Sequence, residues 1–137
     1  MITIPRDIYD AMIRHALGGY PNEACGILAG GGEGVVSEFF PMRNVDESSI
    51  SYFMDPKEQL RVFKKMREMR VEMTGIFHSH VASEAAPSQK DVRLAFYPEA
   101  SYLIVSLADR KKPLLRSFKI QNESVSEEEI RIGSNPC

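Results

Sequence analysis

His78-Ser79-His80, followed by Ser88 and then Asp91, gathers two imidazoles, a hydroxyl and a carboxylate within fourteen positions. Two neutral imidazole nitrogens and a carboxylate oxygen are donors that suit Zn²⁺, and three protein ligands leave the fourth tetrahedral position open to water. An open position marks catalysis rather than architecture. On a β-strand, residues i and i+2 share a face and lie about 7 Å apart along the backbone. His78 and His80 can therefore aim both rings at one ion while Ser79 faces away. Asp91 has to come from the next element, and the loop from Val81 to Pro87 is long enough to fold the chain back over the strand end.

Each half of this motif also has a plainer explanation. Ser88-Gln89-Lys90-Asp91 after Pro87 is a helix-start signature, in which the serine oxygen caps the first turn and the aspartate reaches back to the cap. A lone histidine would likewise be structural; His15, on its helix, is expected to be a structural or surface residue. Two histidines at the end of an apolar strand are harder to dismiss, because burying both without a shared ligand leaves ring nitrogens unsatisfied. Hydrolysis would further need a base beside the water that a metal activates. Glu23, Glu84 and Glu99 are all candidates, and Glu23 is distinguished only by directly preceding an apolar run at Ala24 to Ala29.

The elements around the motif alternate irregularly. Pro5 to Leu17 carries apolar positions at helical spacing before Gly18-Gly19. Ala24 to Ala29 and Val35 to Met42 read as a hairpin around the glycine-rich turn at 30–34; no Lys-Ser/Thr follows those glycines, which argues against a phosphate loop. Asp55-Pro56-Lys57-Glu58 begins a second helix on which Leu60, Phe63 and Met66, extended by Arg70, follow at helical spacing, and which is expected to reach about Glu72, with a basic outer face. Met73 to His80 reads as a buried strand and Ser88 to Phe96 as a short helix. Ser101 to Leu107 and Leu114 to Ile120 read as two more strands, and Ser124 to Ile132 as a last edge strand. The pattern predicts an α/β fold with a mixed sheet flanked by helices.

The chain has 137 residues, 43% of them hydrophobic, with 17 basic and 19 acidic side chains, which is the size and balance of one compact domain. A net charge of -2 offers no global attraction for nucleic acid or anionic lipid, so neither is an expected partner. No apolar run approaches the roughly 20 residues that span a bilayer, and no signal-peptide pattern opens the chain; a cytoplasmic location is expected. Cys25 and Cys137 form no C-x-x-C, so no disulfide framework or thiolate zinc knot is suggested. Cys25 is expected in the core, and Cys137 as a free exposed thiol.

Glu23 within Pro21-Asn22-Glu23-Ala24-Cys25-Gly26, together with His78-Ser79-His80, Ser88 and Asp91, resembles the signature of the JAMM or MPN-plus zinc metalloproteases. The similarity in element order extends over nearly the whole chain. It implies one domain over residues 1–137 with the cytidine-deaminase-like architecture of that family. It further implies Zn²⁺ held by His78, His80 and Asp91, Glu23 as the proton shuttle, and Ser88 as the hydroxyl that stabilises the oxyanion. The implied reaction is hydrolysis of a peptide or isopeptide bond after the Gly-Gly tail of a ubiquitin-like protein. In the small prokaryotic members that the chain resembles, the partner is a ubiquitin-like sulfur carrier, trimmed or freed of cysteine. A noncatalytic interaction module of the same fold is the alternative. A zinc nucleobase deaminase is a weaker one, since H-x-E and P-C-x-x-C are absent.

Overall fold

Near-continuous burial of two apolar strands, rather than alternation of one wet and one dry face, calls for a sheet covered on both sides. The computed structural model describes residues 1–133. The chain runs β1 (Ile2–Ile4), α1 (Arg6–Gly19), β2 (Cys25–Gly30), β3 (Glu38–Met42), α2 (Pro56–Met69), β4 (Glu72–His80), α3 (Gln89–Arg93), β5 (Ser101–Ser106), β6 (Leu114–Gln121), β7 (Ser124–Glu128) and β8 (Ile130–Ile132). Six strands form one sheet in the order β3-β2-β4-β5-β6-β7, while β1 and β8 pair separately. All neighbours in the large sheet are antiparallel except β4 and β5, which run parallel. The architecture is therefore α/β with a mixed sheet flanked by helices, as the sequence predicts.

Side chains alternate across the pleat and so divide the core in two. Cys25, Ile27, Ile76, Tyr102 and Ile104 face α2, where Val62, Phe63 and Met66 meet them. Leu28, Phe77, Leu103 and Val105 face the other way, toward Met12 and Ala16 of α1 and toward Ile2 and Ile4 of β1. Burying a large aliphatic side chain contributes about 1.5–3 kcal/mol, so both layers hold the sheet firmly. Two adjacent parallel strands need a crossover, and residues 81–100 supply it by passing through α3 over the carboxyl end of β4.

Several sequence expectations shift here. In α2 the inward stripe consists of half-buried Gln59, Val62 and Phe63 and buried Met66, whereas Leu60 falls beside it and is 69% exposed. The helix stops at Met69, short of Glu72, because Arg70 turns left-handed with φ 58° and Val71 then bonds back to the Met66 carbonyl. Asp55 caps the helix through the Lys57 N–H, but Glu58 does not return to that cap; its carboxylate accepts from the Arg43 N–H at 2.9 Å and ties down the loop after β3. Helix α3 ends at Arg93 rather than Phe96, and the second strand of the hairpin starts at Glu38 rather than Val35.

The expected edge strand Ser124 to Ile132 is two strands. β7 continues the large sheet, and β8 leaves it to pair in parallel with β1, because Ile130 and Ile132 pack on the α1 side of the core. β1 itself, only three residues long, gives too short a pattern to read in isolation. Cys25 is fully buried as expected, and Cys137 lies outside the described residues. No helix among the described residues is long and apolar enough to cross a membrane.

Gly26 shows how tightly β2 and β3 meet. A Cβ at this position would lie 2.9 Å from the Phe40 carbonyl oxygen and 2.7 Å from the Phe39 ring. A backbone oxygen in a sheet cannot step aside cheaply. Gly26→Ala is therefore expected to destabilise the fold by about 1–3 kcal/mol in chemical denaturation, the usual cost of overpacking.

Candidate metal centre

The strand β4 ends where the apolar core gives way to the crossover loop, and its last three residues do different things. His78 and His80 project to the α2 side of the sheet, 2% and 5% exposed, with their Nε2 atoms 3.1 Å apart. Asp91 enters from the first turn of α3, and its Oδ2 lies 3.0 Å from His80 Nε2 and 3.3 Å from His78 Nε2. These residues are brought together as the spacing predicts. Ser79 points to the opposite face, where its Oγ accepts from the Ala24 N–H at 2.8 Å, while its own N–H donates to the Ala24 carbonyl at 3.0 Å.

Tautomers follow from the partners. His80 Nδ1 is 2.9 Å from the Glu84 carbonyl oxygen, which can only accept, so Nδ1 carries the hydrogen and Nε2 presents a lone pair. With both rings neutral and hydrogen on each Nδ1, two imidazole lone pairs and a carboxylate oxygen would converge on one point and repel; a cation between them removes the conflict. The three separations also match such an ion. A tetrahedron with bonds of about 2.0–2.1 Å has edges of about 3.3 Å, against the 3.0, 3.1 and 3.3 Å found here. The set of two nitrogens and one oxygen is a donor set that suits zinc.

The titration of these groups reflects the same crowding. Burial acts against charge on His80, but its bonds to Asp91 and the Glu84 carbonyl, with the negative charges of Asp91 and Glu23, outweigh that and raise its pKa. Burial dominates at His78 and lowers its pKa. Burial works against the Asp91 carboxylate, yet the two histidines and the Ser88 N–H hold it well below the ordinary carboxylate range.

Glu23 is 7% exposed and sits two residues before β2, whose Cys25 pairs with His78 across the sheet. Three contacts fix its backbone: its N–H donates to the Ser48 carbonyl at 2.8 Å, its carbonyl accepts from Asn44 Nδ2 at 2.9 Å, and the Ala24 N–H is held by Ser79. Burial pushes its carboxyl up to about 7; the charge of His80 opposes this and that of Asp91 adds to it. Glu84 is exposed and contributes its carbonyl rather than its carboxylate. Glu99 precedes β5, at the far end of the sheet from His80.

Ser88 caps α3 in a full capping box: its Oγ accepts from the Asp91 N–H at 3.1 Å and its N–H donates to Asp91 Oδ2 at 2.9 Å. The helix-start reading and the site reading of this segment therefore coincide. The cap orients Asp91, and the Ser88 hydroxyl hydrogen stays free to donate elsewhere. His15, expected to be a structural or surface residue, has its Nε2 2.9 Å from the Cys25 carbonyl oxygen and so braces β2 against α1.

Sequence reasoning missed Tyr52 and Asn44. Tyr52 stacks on the His78 ring with centroids 4.6 Å apart and planes 23° off parallel. Asn44 bonds to the carbonyls of both Glu23 and Ser51. Both lie in the irregular segment between β3 and α2, where no periodicity betrays which residues turn inward.

The raised pKa of Glu23 has a consequence for stability. Its folded value near 7 lies above the ordinary 4.5, so the carboxylate costs the fold nothing below about pH 4.5, a growing amount up to 7, and the full penalty above. In metal-free protein, Glu23→Gln is expected to raise the melting temperature at pH 8 and to leave it unchanged at pH 4, as followed by circular dichroism.

The model of the family described as prokaryotic homologs of the JAB domain matches residues 5–121. The CysO-cysteine peptidase of Mycobacterium tuberculosis is 39% identical over 133 residues, which is 96% of this chain and 91% of that protein. The desampylase of Haloferax volcanii is 32% identical over 111 residues, covering 77% and 80% of the two chains. A Desulfitobacterium hafniense protein of known solution structure superposes with a TM-score of 0.90 at 45% identity, over 98% of this chain and 94% of that one. With the match spanning most of the chain and the same fold carrying it, this protein belongs to the family of prokaryotic JAB-domain homologs, the JAMM/MPN group.

Proposed function

We propose that this protein is a zinc peptidase that cuts the amide bond after the C-terminal Gly-Gly tail of a ubiquitin-like or sulfur-carrier protein, with release of cysteine from the carrier as one such reaction. The chain is a hydrolase acting on peptide or isopeptide bonds. The observation that carries the finer reading is the convergence of His78 Nε2, His80 Nε2 and Asp91 Oδ2 beside a buried glutamate. The likeness to a peptidase that acts on a carrier-cysteine conjugate, over almost the full length of both proteins, supports the substrate class.

His78, His80 and Asp91 would hold the zinc. When bound there, zinc supplies a Lewis acid that polarises the scissile carbonyl and brings the pKa of water to about 7. Glu23 takes the proton from the attacking water and passes it to the leaving nitrogen, and a carboxyl poised near 7 is matched to both halves of that transfer at neutral pH. Its backbone anchors to Ser48, Asn44 and, through Ala24, Ser79 keep the carboxylate from swinging away. Ser88 uses its lone pair on the Asp91 N–H and donates its hydrogen to the carbonyl oxygen as negative charge develops there. The tail itself is narrow, and two glycines let its backbone approach a site roofed by α3.

Two substitutions separate these roles. With a carrier whose tail ends in a cysteine amide as substrate, Glu23→Gln is expected to abolish release of cysteine while the protein keeps its zinc. Cleavage by that variant at the parent rate would overturn the assignment of Glu23. Parent protein that binds the carrier and never cuts it would favour an interaction module. Ser88→Ala is expected to lower kcat by about 10²–10³, the loss typical of one oxyanion donor, with KM little changed.

A further inference from the structure

We propose that Tyr52 is a positioning residue for His78, its ring setting the direction in which His78 Nε2 points; this rests on the reading of His78, His80 and Asp91 as ligands of one divalent ion. The two histidines are held in unlike ways. A metal-ligating histidine almost always donates its second ring N–H to a carboxylate, carbonyl or water, which fixes the plane of the ring. His80 has that support, from Nδ1 to the Glu84 carbonyl. His78 does not: its Nδ1 is buried and bonded to no group among the described residues.

A ring anchored only through the nitrogen that faces the ion can swivel about its Cβ–Cγ bond. What lies against His78 is the face of Tyr52, 4.6 Å between centroids and within 23° of parallel. His80 meets the His78 ring at 60°, edge to face, with centroids 4.9 Å apart. Rotation of His78 out of its plane would drive it into the phenol ring. Stacking here takes the place that a hydrogen bond takes at His80.

Tyr52 can act as a fixed wall because its own backbone is clamped on both sides. The Ser51 carbonyl accepts from Asn44 Nδ2 at 2.9 Å, and the Phe53 N–H donates to Asn44 Oδ1 at 3.0 Å. The Val45 N–H adds a bond to the Phe53 carbonyl at 2.8 Å. The same Asn44 amide holds the carbonyl of Glu23. One side chain thereby ties the stacking ring and the glutamate to a common frame, so an irregular loop delivers both with the accuracy that a metal site needs.

The test compares Tyr52→Phe, which keeps the ring, with Tyr52→Leu and Tyr52→Met, which fill the space without one. Zinc affinity is read by competition with a chromophoric chelator, and ligand geometry by the visible absorption of cobalt-substituted protein. Circular dichroism of each metal-free variant reports folding, and the two ringless variants guard against failure of either one. Tyr52→Phe is expected to match the parent in affinity and cobalt spectrum. The ringless variants are expected to bind zinc about 10- to 100-fold more weakly, the range for loss of a group that orients a ligand, with an altered cobalt band. Ringless variants that equal the parent in both readouts overturn the proposal, as does a Tyr52→Phe variant that loses as much as they do. Parent protein that takes up no zinc would instead overturn the metal reading on which it rests.

Discussion

Three electron-pair donors, each of which water would otherwise solvate, are held within 3.3 Å of one another in a place almost closed to solvent. Such an arrangement is unfavourable in isolation, since desolvating two imidazoles and a carboxylate is costly and their lone pairs repel. It becomes favourable once a cation sits among them. The local structure can be understood as what is needed to keep these atoms from relaxing apart in the meantime: a strand locked at the centre of a sheet, a capped helix start, and an aromatic ring against the one imidazole whose Nδ1 has no hydrogen bond among the described residues.

The sheet supplies the rigidity. Strand β4 is flanked by β2 and β5 along its length, so neither histidine can shift without breaking a ladder of backbone bonds. The parallel pairing of β4 with β5 also forces the chain to leave over the carboxyl end of β4 and return by a crossover, and crossovers at such ends are where α/β folds place their ligand sites. That route brings Asp91 back to the histidines. The burial that surrounds the three converging donors also raises the pKa of Glu23, so one desolvated environment holds both the candidate ligands and the candidate proton carrier.

The sequence made some of this legible and not the rest, for physical reasons. Period-two alternation at the end of an apolar run placed His78 and His80 on one face, and the Ser88 to Asp91 spacing marked both the cap and a carboxylate that the fold brings to the histidines. Glu23 was one of three acidic candidates on the residues alone, because its place near His80 depends on the β2–β4 register, which no local pattern encodes. The misplacement of Leu60 has a similar origin: three apolar residues at helical spacing fit more than one face, and the sheet selects the one centred on Met66. β8 could not be told from β7 without knowing that β1 existed to receive it. Tyr52 and Asn44 were invisible because they lie in a segment without periodicity, where function depends on individual hydrogen bonds.

The central claim is that His78, His80 and Asp91 bind one metal ion through two imidazole nitrogens and a carboxylate oxygen. Zinc-edge X-ray absorption of protein loaded with one equivalent of zinc tests it most directly. The account predicts a four-coordinate shell of nitrogen and oxygen at about 2.0–2.1 Å, with the outer-shell scattering of two imidazoles and no sulfur. A shell containing sulfur, or scattering from fewer than two imidazoles, would contradict it.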